Sequence, residues 1–149
     1  MEMRNFLRED YQTYLAWFED PDLNRELGPM DNQWLEYVLN ESPPKEFCFF
    51  EDEQLVAVVG TEVPASKAET TWYVTSIAVN PTMKRQGIGK HALQLLIETH
   101  SLRENPPKTW IAWVDQSNSA ARKFFKELAW KESVKPDNDD VFQFRLEVT

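Results

Sequence analysis

Apolar side chains recur along this chain with two periods, and the switches between them lay out the elements. Met3 to Leu7 reads as a short first strand. From Glu9 to Glu19, Tyr11, Tyr14, Leu15 and Phe18 fall at helical spacing, and Asp20-Pro21 then acts as a breaker. Asp31 is placed to cap a second helix carrying Trp34, Leu35, Val38 and Leu39. Phe47 to Phe50, the polar run Glu51-Asp-Glu-Gln, and Leu55 to Thr61 predict a hairpin. Thr70 to Val79 is β-branched and aromatic, so it predicts a strand, which Pro81 helps to end. Gly87 to Thr99 predicts a helix with Ile88, Ala92, Leu95 and Leu96 on one face. A strand over Thr109 to Val114 follows, then a helix capped by Ser117 or Asn118 and running to about Leu128. Two final strands, Trp130 to Val134 and Val141 to Val148, flank a polar loop. Strands and helices mixed in this order predict an α/β or α+β fold, with a mixed sheet and helices on both faces.

The length of 149 residues and the absence of repeats or a long linker predict one domain, 1–149. No apolar run reaches the ~20 residues of a membrane-spanning helix. The opening Met1-Glu-Met-Arg-Asn-Phe lacks the apolar stretch of a secretory signal. The single cysteine, Cys48, has no internal partner and reads as a small apolar residue between two phenylalanines. A reducing cytoplasm is the expected location. No His/Cys cluster has metal-ligand spacing, so no metal is expected.

Charge divides the chain. Residues 1–80 carry 5 basic and 16 acidic side chains, a net of −11, whereas residues 81–149 carry 11 and 9, a net of +2. The total of −9 argues against a nucleic-acid partner. The acidic half would attract a cation, and the second half could hold an anion where its positive groups cluster.

They cluster at Lys84-Arg-Gln-Gly-Ile-Gly-Lys90, between a strand and a helix. Glycines let backbone approach a ligand, and the N–H groups of a first helical turn point at it with the positive end of the helix dipole behind them. This is the pattern of a phosphate cradle. A Walker loop fails here, because Lys84 stands in place of its first Gly and His91 in place of its Ser or Thr. The dinucleotide fingerprint matches through Gly87, Gly89 and Ala92, with Asp115 ending the next strand. However, Asn80 to Gln86 separate the strand from the first glycine, and the chain is short for such an enzyme.

Two motifs in this order resemble the GNAT superfamily of N-acetyltransferases, which move an acetyl group from acetyl-CoA to an amine. Ile77-Ala-Val-Asn-Pro81 followed by Lys84-Arg-Gln-Gly-Ile-Gly89 is similar to that family's strand and [QR]-x-x-G-x-[GA] loop. Asn118-Ser-Ala-Ala121-Arg-Lys-Phe124-Phe125-Lys-Glu-Leu-Ala129-Trp130 is similar to its N-x-x-A-x-x-[FL]-Y-x-x-x-G-F segment. The good match spans about residues 70–132. The run from Leu15 to Gly28 more weakly resembles the branch acting on ribosomal proteins, aminoglycosides and polyamines.

The resemblance implies a mostly antiparallel sheet of about six to seven strands flanked by about four helices. It implies acetyl-CoA as co-substrate, an amine acceptor, and a monomer or homodimer with no membrane partner. The backbone of Ile77, Ala78 and Val79 would pair with the pantetheine arm. The amides of Arg85, Gln86, Gly87, Ile88, Gly89 and Lys90 would hold the pyrophosphate beside the charge of Lys84. Asn118 would contact the cofactor, and Lys123 would reach a CoA phosphate.

The sequence departs from that family where proton transfer is concerned. Thr75 stands at the usual position of a carboxylate base, and Phe125 at that of the tyrosine acid. Ala129 replaces a glycine. The catalytic residues are therefore left open; Glu41, Glu62, Glu69 and Asp115 are base candidates by chemistry only. Trp72, Trp110, Trp113 and Trp130 read as core, while Trp17 and Trp34 could line an acceptor pocket. His91 reads as solvated and His100 as a helix-end residue. The main expectation is an N-acetyltransferase acting on a small cationic amine or a peptide N-terminus. The alternatives are an acyl-CoA-binding sensor of the same fold, motivated by Thr75 and Phe125, and a dinucleotide-cofactor domain.

Overall fold

The computed structural model describes residues 1–64, 70–84 and 86–148. The strands are β1 (Glu2–Asn5), β2 (Glu46–Glu51), β3 (Gln54–Glu62), β4 (Thr71–Val79), β5 (Thr109–Asp115), β6 (Lys131–Glu132) and β7 (Val141–Glu147). The α-helices are α1 (Tyr11–Trp17), α2 (Pro21–Leu27), α3 (Asn32–Leu39), α4 (Ile88–Ser101) and α5 (Ser119–Glu127). The sheet has seven strands in the order β1-β2-β3-β4-β5-β7-β6 and is mostly antiparallel. The mixed α/β class and strand number agree with expectation.

The expected four or so helices are five among the described residues. The extra one is α2, which begins where the sequence suggested only a stop. Pro21 occupies the first helical position, where its missing N–H breaks no bond, and Asp20 Oδ2 accepts from Leu23 N at 3.1 Å. The Asp-Pro pair thus ends α1 and starts the next helix. The hairpin between β2 and β3 turns through Asp52 and Glu53, both with positive φ, as a two-residue connection requires.

The chain divides into two compact units, Met1–Gly60 with Ser76–Leu96, and Thr61–Thr75 with Ile97–Thr149. In the first, Tyr14 of α1 is the hub of an aromatic cluster. Its ring lies edge-on to Phe6, Trp17 and Phe18 at 5.9, 5.3 and 5.1 Å. Trp17 is buried in this cluster and Trp34 packs against Phe6, so both serve the core. Arg4 grips buried Asp10 with two hydrogen bonds of 2.7 and 2.8 Å, and Leu7 N donates to the same carboxylate. Burial alone would raise the Asp10 pKa; these donors bring it below the usual carboxylate value. Cys48 is fully buried as expected, its thiol 3.6 Å from Asp10.

In the second unit, β4 pairs in parallel with β5 through Thr71 to Tyr73 against Thr109 to Ile111. β5 then pairs along its whole length with β7. Trp72 and Trp110 are buried, and the ring of His100 packs on them at 4.7 and 5.8 Å, so this helix-end residue belongs to the core. Trp113 does not. It is 45% exposed, on the face of β5 opposite Trp110, Ala112 and Val114 and beyond the last buried residue of its own face, Ile111, and its ring meets Tyr73 at 4.5 Å.

The end of α5 shows why Ala129 matters. Trp130 N donates to Phe125 O and Ala129 N to Lys126 O, and the Phe125 and Trp130 rings meet at 4.9 Å. This is the Schellman ending, with Ala129 in the left-handed region at φ 66°. A side chain there costs about 1 kcal/mol or more of backbone strain. Ala129→Gly is therefore expected to stabilise the protein by about 0.5–1 kcal/mol, since glycine's extra unfolded-state freedom offsets part of the relief. The urea midpoint should rise with unchanged slope.

Candidate functional site

In the first unit the site begins where β4 ends. Ala78 is buried, with Ile77 and Val79 half-buried beside it. The next residue, Asn80, is the device that sequence reading missed. It is buried, its N–H donates to Val56 O at 2.9 Å and its side-chain amide to Leu55 O at 3.4 Å. Its Oδ1 accepts from both the N–H and hydroxyl of Thr82, at 3.1 and 2.9 Å. One side chain thus ties the turn after β4 to β3.

Pro81 to Met83 form a single tight helical turn, and the chain then passes Lys84 to reach Gln86 and Gly87, both exposed. Gly87 has φ 74°, with open space where a Cβ would project. Its carbonyl accepts from His91 N at 3.0 Å, which starts α4. The following N–H groups, of Ile88, Gly89 and Lys90, have no acceptor within the helix by its geometry, and the dipole of a 14-residue helix stands behind them. Ile88 is buried and anchors this first turn, while Lys90 and His91 are exposed. An exposed helix start of this kind is suited to an anion. The Lys84 ammonium lies 3.4 Å from Asp20 Oδ2, so the carboxylate that caps α2 also holds a cation of the loop. Arg85 and the base candidate Glu69 lie outside the described residues.

In the second unit, Asn118 caps α5: its Oδ1 accepts from Ala121 N at 3.1 Å. Lys123 is exposed on the same helix, 3.8 Å from Glu127, in an open hollow it shares with Ser119, Arg122 and Lys126. Thr75 is exposed on β4, and Phe125 is buried against Trp130 and Phe144. Of the base candidates, Asp115 is held below its ordinary pKa by the Ser117 hydroxyl and N–H. Glu41 is held low by hydrogen bonds from Tyr37 and Lys45. Neither is poised to take a proton near pH 7. Glu62 is exposed at the end of β3. Among the described residues no group of three His, Cys, Asp or Glu is placed to hold a metal, and no helix is long and apolar enough to cross a membrane.

Glu46, at the start of β2, is the acidic residue that does have an unusual setting. The residue is half-buried overall, but Oε2 is closed off and has no hydrogen-bond partner. Burial, and after it the nearby charge of Glu41, push its pKa up to about 8. A glutamate flanking a strand gives no such signal in the sequence.

The model of the acetyltransferase (GNAT) family matches residues 2–130. The chain belongs to the GNAT acetyltransferase family. No curated protein sequence matches it. Among solved structures, the GNAT protein is similar to the ribosomal-protein-S18-alanine N-acetyltransferase of Escherichia coli, at 20% identity and TM-score 0.71, covering 99% of this chain and 94% of that one. It is also similar to an N-acetyltransferase of Staphylococcus aureus Mu50, at 22% identity and TM-score 0.71, with 99% and 98% covered. PaiA N-acetyltransferase of Thermoplasma acidophilum, solved in complex with coenzyme A, matches at 15% identity and TM-score 0.71, again with 99% and 98% covered.

The Glu46 setting has a consequence for stability. A folded-state pKa above the unfolded one means the native protein binds this proton more tightly. The contribution is full below the ordinary glutamate value and is lost as pH rises toward about 8. Glu46→Gln keeps the shape without the titration. Urea unfolding at pH 5.5 and pH 8 should show wild type losing stability relative to the variant as pH rises. A pH-independent difference would mean that the carboxyl ionises normally.

Proposed function

We propose that this GNAT protein transfers acetyl from acetyl-CoA to the primary amine of a small cationic molecule or a peptide N-terminus. The observation that carries the reading is the β4 exit, where Asn80 fixes a turn and Gly87, at φ 74°, opens α4 toward an anion. The pyrophosphate of CoA suits the free N–H groups of that first turn. In the same reading Ile77 to Val79 offer backbone to the pantetheine arm, and Lys84, Arg85 and Lys90 supply charge; the family likeness of the Asn118 segment makes Asn118 and Lys123 cofactor contacts as well. The family match runs through both units, which supports a single catalytic domain. The one cysteine, buried and reduced, fits a cytoplasmic location.

In the reaction the neutral amine attacks the thioester carbonyl, the nitrogen gives up a proton to solvent water, the C–S bond breaks, and the amide forms as CoA thiolate departs. Phe125 has no proton to give, so the thiolate takes one from solvent. Aligning amine and thioester can contribute roughly 7–11 kcal/mol, against roughly 10²–10⁴-fold for general acid–base help. Positioning therefore carries the rate. Thr75 and Phe125 favour a second reading, an acyl-CoA sensor that binds without turnover.

A thiol-release assay over polyamines, aminoglycosides, amino acids and peptide N-termini separates the two. The enzyme reading expects release with one class, whereas acetyl-CoA binding with no release in any class supports the sensor. Gly87→Asp should abolish CoA binding in calorimetry, because it forbids the backbone conformation and puts a negative charge at the pyrophosphate; unchanged affinity would overturn the cradle.

Asp20→Asn keeps a good helix cap but removes the charge that holds Lys84. CoA should then bind roughly two- to five-fold more tightly, a surface-pair effect that weakens with salt. No change at low salt would show that Lys84 does not serve the ligand.

A further inference from the structure

The amine acceptor's binding group follows from Glu46, on the acetyltransferase reading above. Glu46 opens β2, immediately before Phe47 and opposite Gly60 of β3. Two residues along β2, Cys48 faces the aromatic cluster of α1 and α3, together with Val58 of β3 and Ala78 of β4. Strand alternation puts Glu46 on that same face, one ladder step further, with no side chain on the glycine opposite. The backbone there is fixed, since Phe6 N donates to Glu46 O at 2.9 Å. The residue keeps some exposure while Oε2 points inward without a partner. A buried polar atom left unsatisfied in a native fold calls for an explanation, and a ligand donor is one.

We propose that the Glu46 carboxyl, at the start of β2 in the first unit, receives the ammonium group of a small cationic acceptor, a diamine or polyamine. A primary ammonium brings three donors and a full charge to a carboxyl that has neither. The groups that face Glu46 do not compete for it. Glu41, in the loop before β2, adds negative charge and is paired with Lys45 at 3.2 Å. Burial pushes the Tyr14 hydroxyl of α1 and the Cys48 thiol upward, so both are neutral at pH 7. Asp10, beyond Cys48, is already held by Arg4. A primary alkylammonium gathers its charge and its donors on one nitrogen, which suits a single unpartnered carboxyl oxygen. When the cation binds near pH 7, the carboxyl releases its proton to solvent and becomes the carboxylate of an ion pair, so binding and proton release are coupled.

The test uses the full-length protein and butane-1,4-diamine as probe, with 1,4-butanediol as the uncharged control. Calorimetry at pH 7 in phosphate and in Tris, whose ionisation heats differ, reads the protons released. Wild type should bind the diamine but not the diol, releasing a substantial fraction of one proton. Glu46→Gln should weaken diamine binding at least tenfold and abolish the release, while acetyl-CoA affinity and circular dichroism stay as in wild type. Glu46→Asp, a second and more conservative variant, should retain part of both. Diamine binding equal to wild type in Glu46→Gln, or no proton release in wild type, overturns the assignment. So does thiol release with peptide N-termini alone and no diamine binding, an outcome that leaves the acetyltransferase reading standing. Proton-coupled diamine binding without thiol release upholds Glu46 and overturns the transferase.

Discussion

A single turn, from Asn80 to Gly87, governs what the first unit can do. β4 must stop, the chain must leave the sheet, and α4 must begin beside the open space at Gly87. Two residues impose this by different means. Asn80 ties the exit to β3 with its backbone N–H and its amide nitrogen, while its Oδ1 holds Thr82 in the turn. Gly87 adopts a backbone conformation that other L-residues reach only with strain. Ile88, buried immediately after, fixes which way the new helix faces. Without the tie the loop would be a flexible basic segment, and without the glycine the helix would begin elsewhere.

The rest of the first unit pulls in the opposite electrostatic direction. Its aromatic cluster around Tyr14 excludes water, and the acidic groups set into it resolve their burial differently. Asp10 stays ionised because Arg4 meets it in a bidentate pair and Leu7 adds a backbone donor. Glu46 lacks such partners, so its proton stays on to a higher pH. The two carboxyls thus differ in charge at neutral pH: Arg4 and a backbone donor offset burial at Asp10, whereas burial and the nearby charge of Glu41 act unopposed on Glu46. The Lys84–Asp20 pair sits between these regimes, linking the basic loop to the cap of α2 at a solvent-exposed distance where its strength depends on salt.

Much of this was legible in the residues because the signals are local. Hydrophobic period located nearly every strand and helix, and Asp31 and Asn118 were visible as caps. The glycine loop and the Asn118 segment carried the family likeness. What stayed hidden depended on tertiary context. Asp20-Pro21 reads equally as a stop or a start, and α2 is decided by whether Leu23 can be buried. Trp113 is apolar on a strand, yet it lies beyond the last buried residue of its own face, Ile111. Glu46 looks like any strand-flanking acid until its neighbours close over Oε2. Asn80 was read only as part of a strand-to-loop segment, because its partners Leu55 and Val56 are distant in sequence.

The positions where this chain departs from its family's proton-transfer residues then have a physical reading. Phe125 packs between Trp130 and Phe144 and takes part in the ending of α5, so a hydroxyl there would have to find a partner inside an aromatic core. On the proposed acetyltransferase reading, packing stands here in place of a side-chain acid. A thiolate is a good enough leaving group to tolerate that loss, whereas an ammonium acceptor cannot attack until it sheds a proton. The demand on the protein therefore falls on the acceptor side. There, any group that binds the cation must not hold the reacting nitrogen charged. A diamine meets this condition, since one nitrogen can be anchored as the ammonium while the other, remote from the anchor, loses its proton to water and reaches the thioester.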